Sequence, residues 1–231
     1  VSVSVGSRRE FGLGQKRGDF YKRWAKKEQP NADWDNYLQS LKFAQDFGDI
    51  AGDRTKGNLH NKLAVLYVDG NSFGKIQAKL EKPEYLSAFD MQVKAYRTAF
   101  LAELLDEARK KKKDWFNDDK LRLETLLWGG DEFLLVVPAW QGWWLLDFFF
   151  QQSKDWKFKQ KDKEDIDLHH SAGLVFCHHK APIARIKRLA KDLAELVKSA
   201  LGDDDERKNI SGFAYLTLES FDTVGLNLEG Y

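Results

Sequence analysis

An α+β fold in the order strand, helix, strand, strand, helix, strand is predicted by three features of this 231-residue chain. Residues 63–68 form an unbroken apolar run with polar flanks, the pattern of a buried strand. Residues 122–127 and 132–137 are two strand-like runs joined by Trp128-Gly129-Gly130-Asp131, a hairpin signal. Helical patterns at 83–113 and 141–158 flank that hairpin, and a further strand pattern follows at 167–176. This is the ferredoxin-like βαββαβ order, an antiparallel sheet with helices on one face.

The elements follow in order. Residues 1–60 are polar with aromatics spaced through them (Phe20, Tyr21, Trp24, Trp34, Tyr37, Phe43, Phe47). Pro30-Asn31-Ala32-Asp33 is a turn and helix-start signal, and the apolar spacing over 34–47 suits a packed helix. We read 1–60 as a helical extension whose last part, 52–61, is a linker, and 61–231 as the main domain. The helix over 83–113 places Phe89, Val93, Tyr96, Phe100, Leu101, Leu104 and Leu105 on one side. It ends in Arg109 and Lys110 to Lys113, where cations complement the helix dipole. Residues 182–201 are an amphipathic helix and 210–218 a last strand; there is no internal repeat.

Composition narrows the function classes. Lys plus Arg is 37 and Asp plus Glu is 36, a net charge of +1. That balance argues against a surface built for duplex DNA and leaves room for a local basic pocket holding a triphosphate. Cys177 is the one cysteine, so neither an intramolecular disulfide nor a Cys-rich zinc site can form, which fits a reducing cytoplasm. The most apolar run, 143–150, is too short to span a bilayer and contains Asp147. No signal peptide opens the chain, and its start at Val1 suits a fragment or a processed chain.

Two constellations carry chemistry. In Asp69-Gly70-Asn71-Ser72-Phe73-Gly74-Lys75 an acid ends a buried strand and a tight turn follows. Amides in such a turn can cradle phosphate, and the carboxylate can hold a metal bridging those phosphates. The bland alternative is an ordinary strand-to-helix turn with Asp and Asn as caps. In Gly129-Gly130-Asp131-Glu132-Phe133 two adjacent acids stand at a hairpin tip, a poor folding choice that a cation would relieve, and the glycines permit close approach. The inferred topology puts Asp69 and Asp131 side by side at one sheet edge. Two converging carboxylates suit two-metal phosphoryl transfer with Mg²⁺ or Mn²⁺.

Gly129-Gly130-Asp131-Glu132-Phe133 is the signature of the GGDEF nucleotide cyclases, and Asp69 to Phe73 has the spacing of their first motif. The chain resembles more closely the palm domain of the large polymerase/cyclase subunit of type III CRISPR effector complexes. Residues 64–75, 171–182 and the helix 183–199 carry that likeness, which spans roughly residues 60–220. The resemblance implies Asp69, Asp131 and Glu132 as catalytic and metal-binding acids, with the Gly70 carbonyl a further ligand. It implies a nucleotide site made of Asn71, Ser72, Phe73, Gly74, Gln77, Gly129 and Gly130, with Lys198 on the triphosphate and Lys180 a second candidate. Gln77 stands where the GGDEF cyclases carry a guanine-reading Asn, the following position is Ala78, and residues 120–123 lack their R-x-x-D product site. ATP, as in the CRISPR-type relatives, is therefore the expected substrate. Those relatives commonly carry Asp-Asp at the tip, where this chain has Asp131-Glu132.

Other features read as structure. Adjacent histidines on a strand, His169-His170 and His178-His179, point to opposite faces and do not chelate simply. Gly12 to Gly18 lacks dinucleotide-loop spacing, and Asp203 to Glu206 suits a solvated loop.

The resemblance implies an enzyme that condenses ATP or other triphosphates into a cyclic di- or oligonucleotide in antiviral signalling. It also implies a homodimer or a second palm, with CRISPR effector subunits and RNA as partners and no membrane. The alternative is a non-catalytic palm with a structural or RNA-binding part in such an assembly. Its strands offer few stacking aromatics beyond Phe133, and its acids repel phosphate unless a metal is present.

Overall fold

The computed structural model describes residues 15–27, 31–80, 82–160, 164–201 and 210–218, with backbone only at 15 and 16. In chain order it contains α1 (Gln15–Trp24), α2 (Ala32–Ser40), β1 (Lys42–Phe43), α3 (Phe47–Ala51), a 3₁₀ turn (Arg54–Leu59), β2 (Lys62–Gly70) and α4 (Phe73–Ala78). There follow α5 (Pro83–Lys110), α6 (Lys112–Trp115), β3 (Phe116–Asn117), β4 (Lys120–Leu121), β5 (Glu124–Gly129), β6 (Glu132–Pro138) and a second 3₁₀ turn (Ala139–Gln141). The remainder is α7 (Gly142–Ser153), β7 (Lys157–Phe158), β8 (Ile166–Asp167), β9 (His170–His178), α8 (Ile183–Leu201) and β10 (Gly212–Thr217).

The main sheet has the order β10-β9-β2-β6-β5. The four strands β9, β2, β6 and β5 are antiparallel and give the expected βαββαβ topology, with β2 between β9 and β6. β10 joins β9 in parallel and makes the sheet mixed. The two helices of the βαββαβ unit, α5 and α7, share one core with Ala64, Leu66, Val68, Phe133, Leu135, Ala172 and Leu174. The helix after the fourth strand, α8, covers the opposite face through Ile186, Leu189, Ala190 and Leu193 on Leu63, Val65, Tyr67, Leu134, Val136 and Val175. Helices thus lie on both faces, two of them on the face that the four-strand pattern foretells. Glycine makes the second contact possible. A Cβ on Gly173 would stand 1.9 Å from the Ala190 carbonyl oxygen, so α8 sits directly on the β9 backbone.

Residues before β2 pack into the same interior. Tyr21, Ala25, Trp34 and Leu38 belong to the core that contains Phe100, Leu104 and Phe133. The helix expected over 34–47 stops at Ser40, where Leu41 turns extended; β1 then pairs with β4, and Asp46 caps α3 by accepting from the Asp49 amide at 2.9 Å. The expected linker folds as the Arg54–Leu59 turn, capped by Asp53. The helix over 141–158 ends at Ser153, because Trp156 folds back on the Ser153 carbonyl and Phe158 packs on Phe89 at 5.2 Å in a β7–β8 hairpin. The strand expected from 122 begins at Glu124, since Arg122 is turned inward to the Ile50 and Gly52 carbonyls.

Candidate active site

β2 places alternate side chains on opposite faces. Leu63, Val65 and Tyr67 face α8, so Asp69 ends the strand on that same side. The β2–β6 ladder closes with Val68 opposite Phe133, and the next positions outward are Asp69 and Glu132. On α8, Lys198 lies 2.5 Å from Asp69 Oδ2 and 4.0 Å from Glu195. The Tyr67 hydroxyl donates to Glu132 Oε2 at 2.6 Å, and burial, the first cause, together with that carboxylate holds the phenol protonated. Asp131 stands at the tip, beyond Gly130, whose φ of +52° is a left-handed angle that glycine tolerates best. Burial raises the Asp131 pKa, and the nearby charge of Asp69 adds to that rise. A cation between them would relieve both effects.

The turn after Asp69 is shaped for close approach. A Cβ on Gly70 would stand 2.7 Å from the Phe73 ring, which folds back over the strand end. Ser72 adopts φ +60° at the N-cap of α4 and makes no side-chain cap bond. The Asn71 amide does not serve as expected. It donates to the His169 carbonyl at 2.8 Å, while its side chain donates to the Ile210 carbonyl at 3.1 Å. That bond also fixes the alternation of the antiparallel ladder: Asp69 and Asn71 pair toward β9, and Gly70 directs its carbonyl to the hairpin side.

Beside the tip lies a cavity of about 370 Å³ lined by Phe73, Gln77, Asp90, Lys94, Arg97 and Asp131, among others. Gln77 Nε2 donates to Asp90 Oδ1 at 3.0 Å across this space. Asp90, Lys94, Arg97 and Tyr67 are residues that sequence reasoning missed. Two signals were present. Tyr67 is two residues before Asp69 and therefore on its face, and Arg97 interrupts the buried stripe of Phe89, Val93, Phe100 and Leu104.

The structure thus brings Asp69, Asp131, Glu132, Gly70, Ser72, Phe73, Gly74, Gln77, Gly129, Gly130 and Lys198 to one end of the sheet. Lys180 is a correction. It follows His178, which pairs with Lys62 at the start of β2, whereas Asp69 pairs with Ser171 at the other end of β9. A full strand length separates it from the acids. His170 is packed among Phe73, Phe149 and Trp156, and burial pushes its pKa down to about 3.

Among the described residues no group of three or more His, Cys, Asp or Glu forms a metal cage. Hard oxygen donors from Asp69, Asp131 and the Gly70 carbonyl instead suit Mg²⁺, which takes one or two carboxylates and completes its shell with phosphate and water. No helix of the described residues is long and apolar enough to cross a membrane.

A four-stranded antiparallel βαββαβ sheet with acids at the end of its first strand and at its hairpin tip defines a palm-type domain. Residues 62–209 match the family described as Cas10/Cmr2, second palm domain, and the chain belongs to that family. Csm1 from T. onnurineus is similar in fold, with a TM-score of 0.50 and 14% identity over 70% of this chain and 23% of that one. A Csm1–Csm4 cassette solved in complex with one ATP gives 0.48 and 15% identity over 69% of this chain and 23% of that one. The GGDEF domain of TpbB (YfiN) from Pseudomonas aeruginosa gives 0.38 and 14% identity over 70% and 81%. No curated protein sequence matches the chain.

Proposed function

We propose that this palm is a metal-dependent nucleotidyltransferase that joins or cyclises ATP, in a CRISPR-type antiviral system. The observation that carries the reading is the placement of Asp69 and Asp131 at one sheet end, beside both a basic residue, Lys198, and a cavity of about 370 Å³. Asp69, Asp131 and the Gly70 carbonyl would hold Mg²⁺ or Mn²⁺. Such ions would supply activation of a ribose hydroxyl and stabilisation of the pyrophosphate leaving group.

The chain's own residues do the rest. The first-turn amides of α4 receive phosphate oxygens. Lys198 turns from Asp69 to the triphosphate, supplying the charge that a polyanion needs. Glu132, held by Tyr67, keeps its carboxylate at the strand end. Gln77 and Asp90 present an amide and a carboxylate to the base edge in the cavity. Joining two nucleotides takes two such sites, so a second palm, from a second copy or from elsewhere in a larger assembly, is the expected partner.

Incubation of the chain with each nucleoside triphosphate and Mg²⁺ or Mn²⁺, followed by mass spectrometry, tests the reading. Cyclic or linear oligoadenylate from the wild type and none from Asp131→Ala supports it. No product from a folded wild type, with or without a second palm supplied, sinks it in favour of a structural palm.

A further inference from the structure

Four residues of α1 touch side chains of β5. Arg17 pairs with Glu124 at 2.8 Å, and the Tyr21 hydroxyl lies 3.0 Å from Thr125 Oγ1. Phe20 and Trp24 meet the Trp128 ring at 6.0 and 6.4 Å. Spacings of three, four and seven residues put these four on one helical face. β5 is one of the two outer strands of the sheet and ends at Gly129, so α1 packs on the side chains of an edge strand that leads to the hairpin tip. The β5–β6 register shifts between Thr125 and Leu127, inside the covered span. An irregular outer strand is where register is weakest, and a slip of one residue there would turn Asp131 to the wrong face.

Arg97 ties this edge to the site. Its guanidinium carbon is 5.8 Å from the Trp24 ring and 5.4 Å from the Trp128 ring. The residue is 5% exposed, and Nε and Nη1 are buried with no hydrogen-bond partner. Ring faces compensate a buried guanidinium in part, so the cation is held by the two tryptophans and by the nearby charge of Asp131. It also lines the cavity shared with Gly130 and Asp131. α1 lies outside the 62–209 span that matches the palm family.

We propose that α1 braces the Gly129–Gly130–Asp131 hairpin and that Arg97, set against the Trp24 and Trp128 rings, is the positioning residue that passes this support to the Asp131 tip. The proposal rests on the assignment of Asp131 to the nucleotidyl-transfer site.

Hydrogen exchange of the full chain, read by mass spectrometry without nucleotide, tests it. In Trp24→Ala and Arg97→Lys, peptides over 126–133 exchange about tenfold faster, while peptides of β2 and β9 change less than about twofold. Trp24→Phe, which keeps a ring under Arg97, restores protection. In turnover of ATP with Mg²⁺, Arg97→Lys lowers kcat about tenfold with KM within about threefold. Unchanged hairpin exchange in both folded variants overturns the proposal. So does loss of protection spread evenly over the sheet, which marks a mere core contact. A wild type that turns nothing over contradicts the enzyme reading and leaves the exchange result to decide the brace on its own.

Discussion

Lys198 reaches from α8 to within 2.5 Å of Asp69 Oδ2, so the acid at the end of β2 is neutralised by the chain's own cation. The pair is partly exposed, at 26% and 15% of the two side chains, and its strength is that of a screened contact. A divalent ion competes with Lys198 for the same oxygen. Lys198→Met therefore binds Mn²⁺ about fivefold more tightly without nucleotide, since a nearby like charge has gone. The same change raises KM for ATP about tenfold, the loss of one charge-assisted contact to phosphate. Mn²⁺ titration by electron paramagnetic resonance and steady-state kinetics give the two numbers; movement of both in the same direction contradicts the arrangement.

Tyr67 is the partner of Glu132. Tyr67→Phe removes a 2.6 Å bond to a carboxylate inside the structure. The expected cost is about 1.5–3 kcal/mol, the range for a hydrogen bond to a charged group. Urea denaturation measures it. A variant as stable as the wild type would show that solvent replaces the phenol and that Glu132 is not held.

The fold was legible where one periodicity ruled. The apolar run of β2, the two-strand hairpin and the helical runs of α5 and α7 carried the topology, because burial on both sheet faces leaves few other patterns. That Asp69 and Asp131 meet at one sheet end was legible because the strand and hairpin order alone makes β2 and the hairpin neighbours. Lys180 was misplaced because sequence proximity to β9 does not tell which end of an antiparallel strand a residue reaches. Asn71 was read as a phosphate ligand, yet its amide closes the β2–β9 ladder, a long-range pairing with no local signature. Arg97 went unread because its partners, Trp24 and Trp128, are far apart in sequence and meet only when α1 lies along β5.

Gly173 holds α8, and with it Lys198, against the sheet. In Gly173→Ala the new Cβ would meet the Ala190 carbonyl at 1.9 Å, which α8 can relieve only by moving away. The expected destabilisation is about 2–3 kcal/mol, in the range for overpacking. Loss of nucleotide affinity should accompany it. A melting temperature within a degree of wild type would contradict so close a contact.

His170 predicts a pH dependence. Its folded-state pKa is lowered to about 3 by burial first and then by the charges of His169 and Lys198. In the unfolded chain a histidine titrates near pH 6.5. Above that value both states are neutral and the residue contributes nothing to the slope. As pH falls below about 6.5 the unfolded state takes up a proton that the folded state refuses, and stability drops by up to about 1.4 kcal/mol per pH unit until about pH 3. His170→Phe, set among Phe73, Phe149 and Trp156, removes this share of the slope. Melting curves of both proteins from pH 7 to 5 show it; parallel curves would contradict the buried neutral imidazole.

Pyrophosphate release from ATP, compared in the wild type, Asp69→Asn and Asp131→Asn at saturating Mg²⁺, tests the pairing of these two acids most directly. Release by the wild type and a loss of about a thousandfold or more in each variant, with the fold intact, is the predicted result. Equal release by Asp131→Asn and wild type would contradict it, as would a folded wild type that releases none with a second palm present.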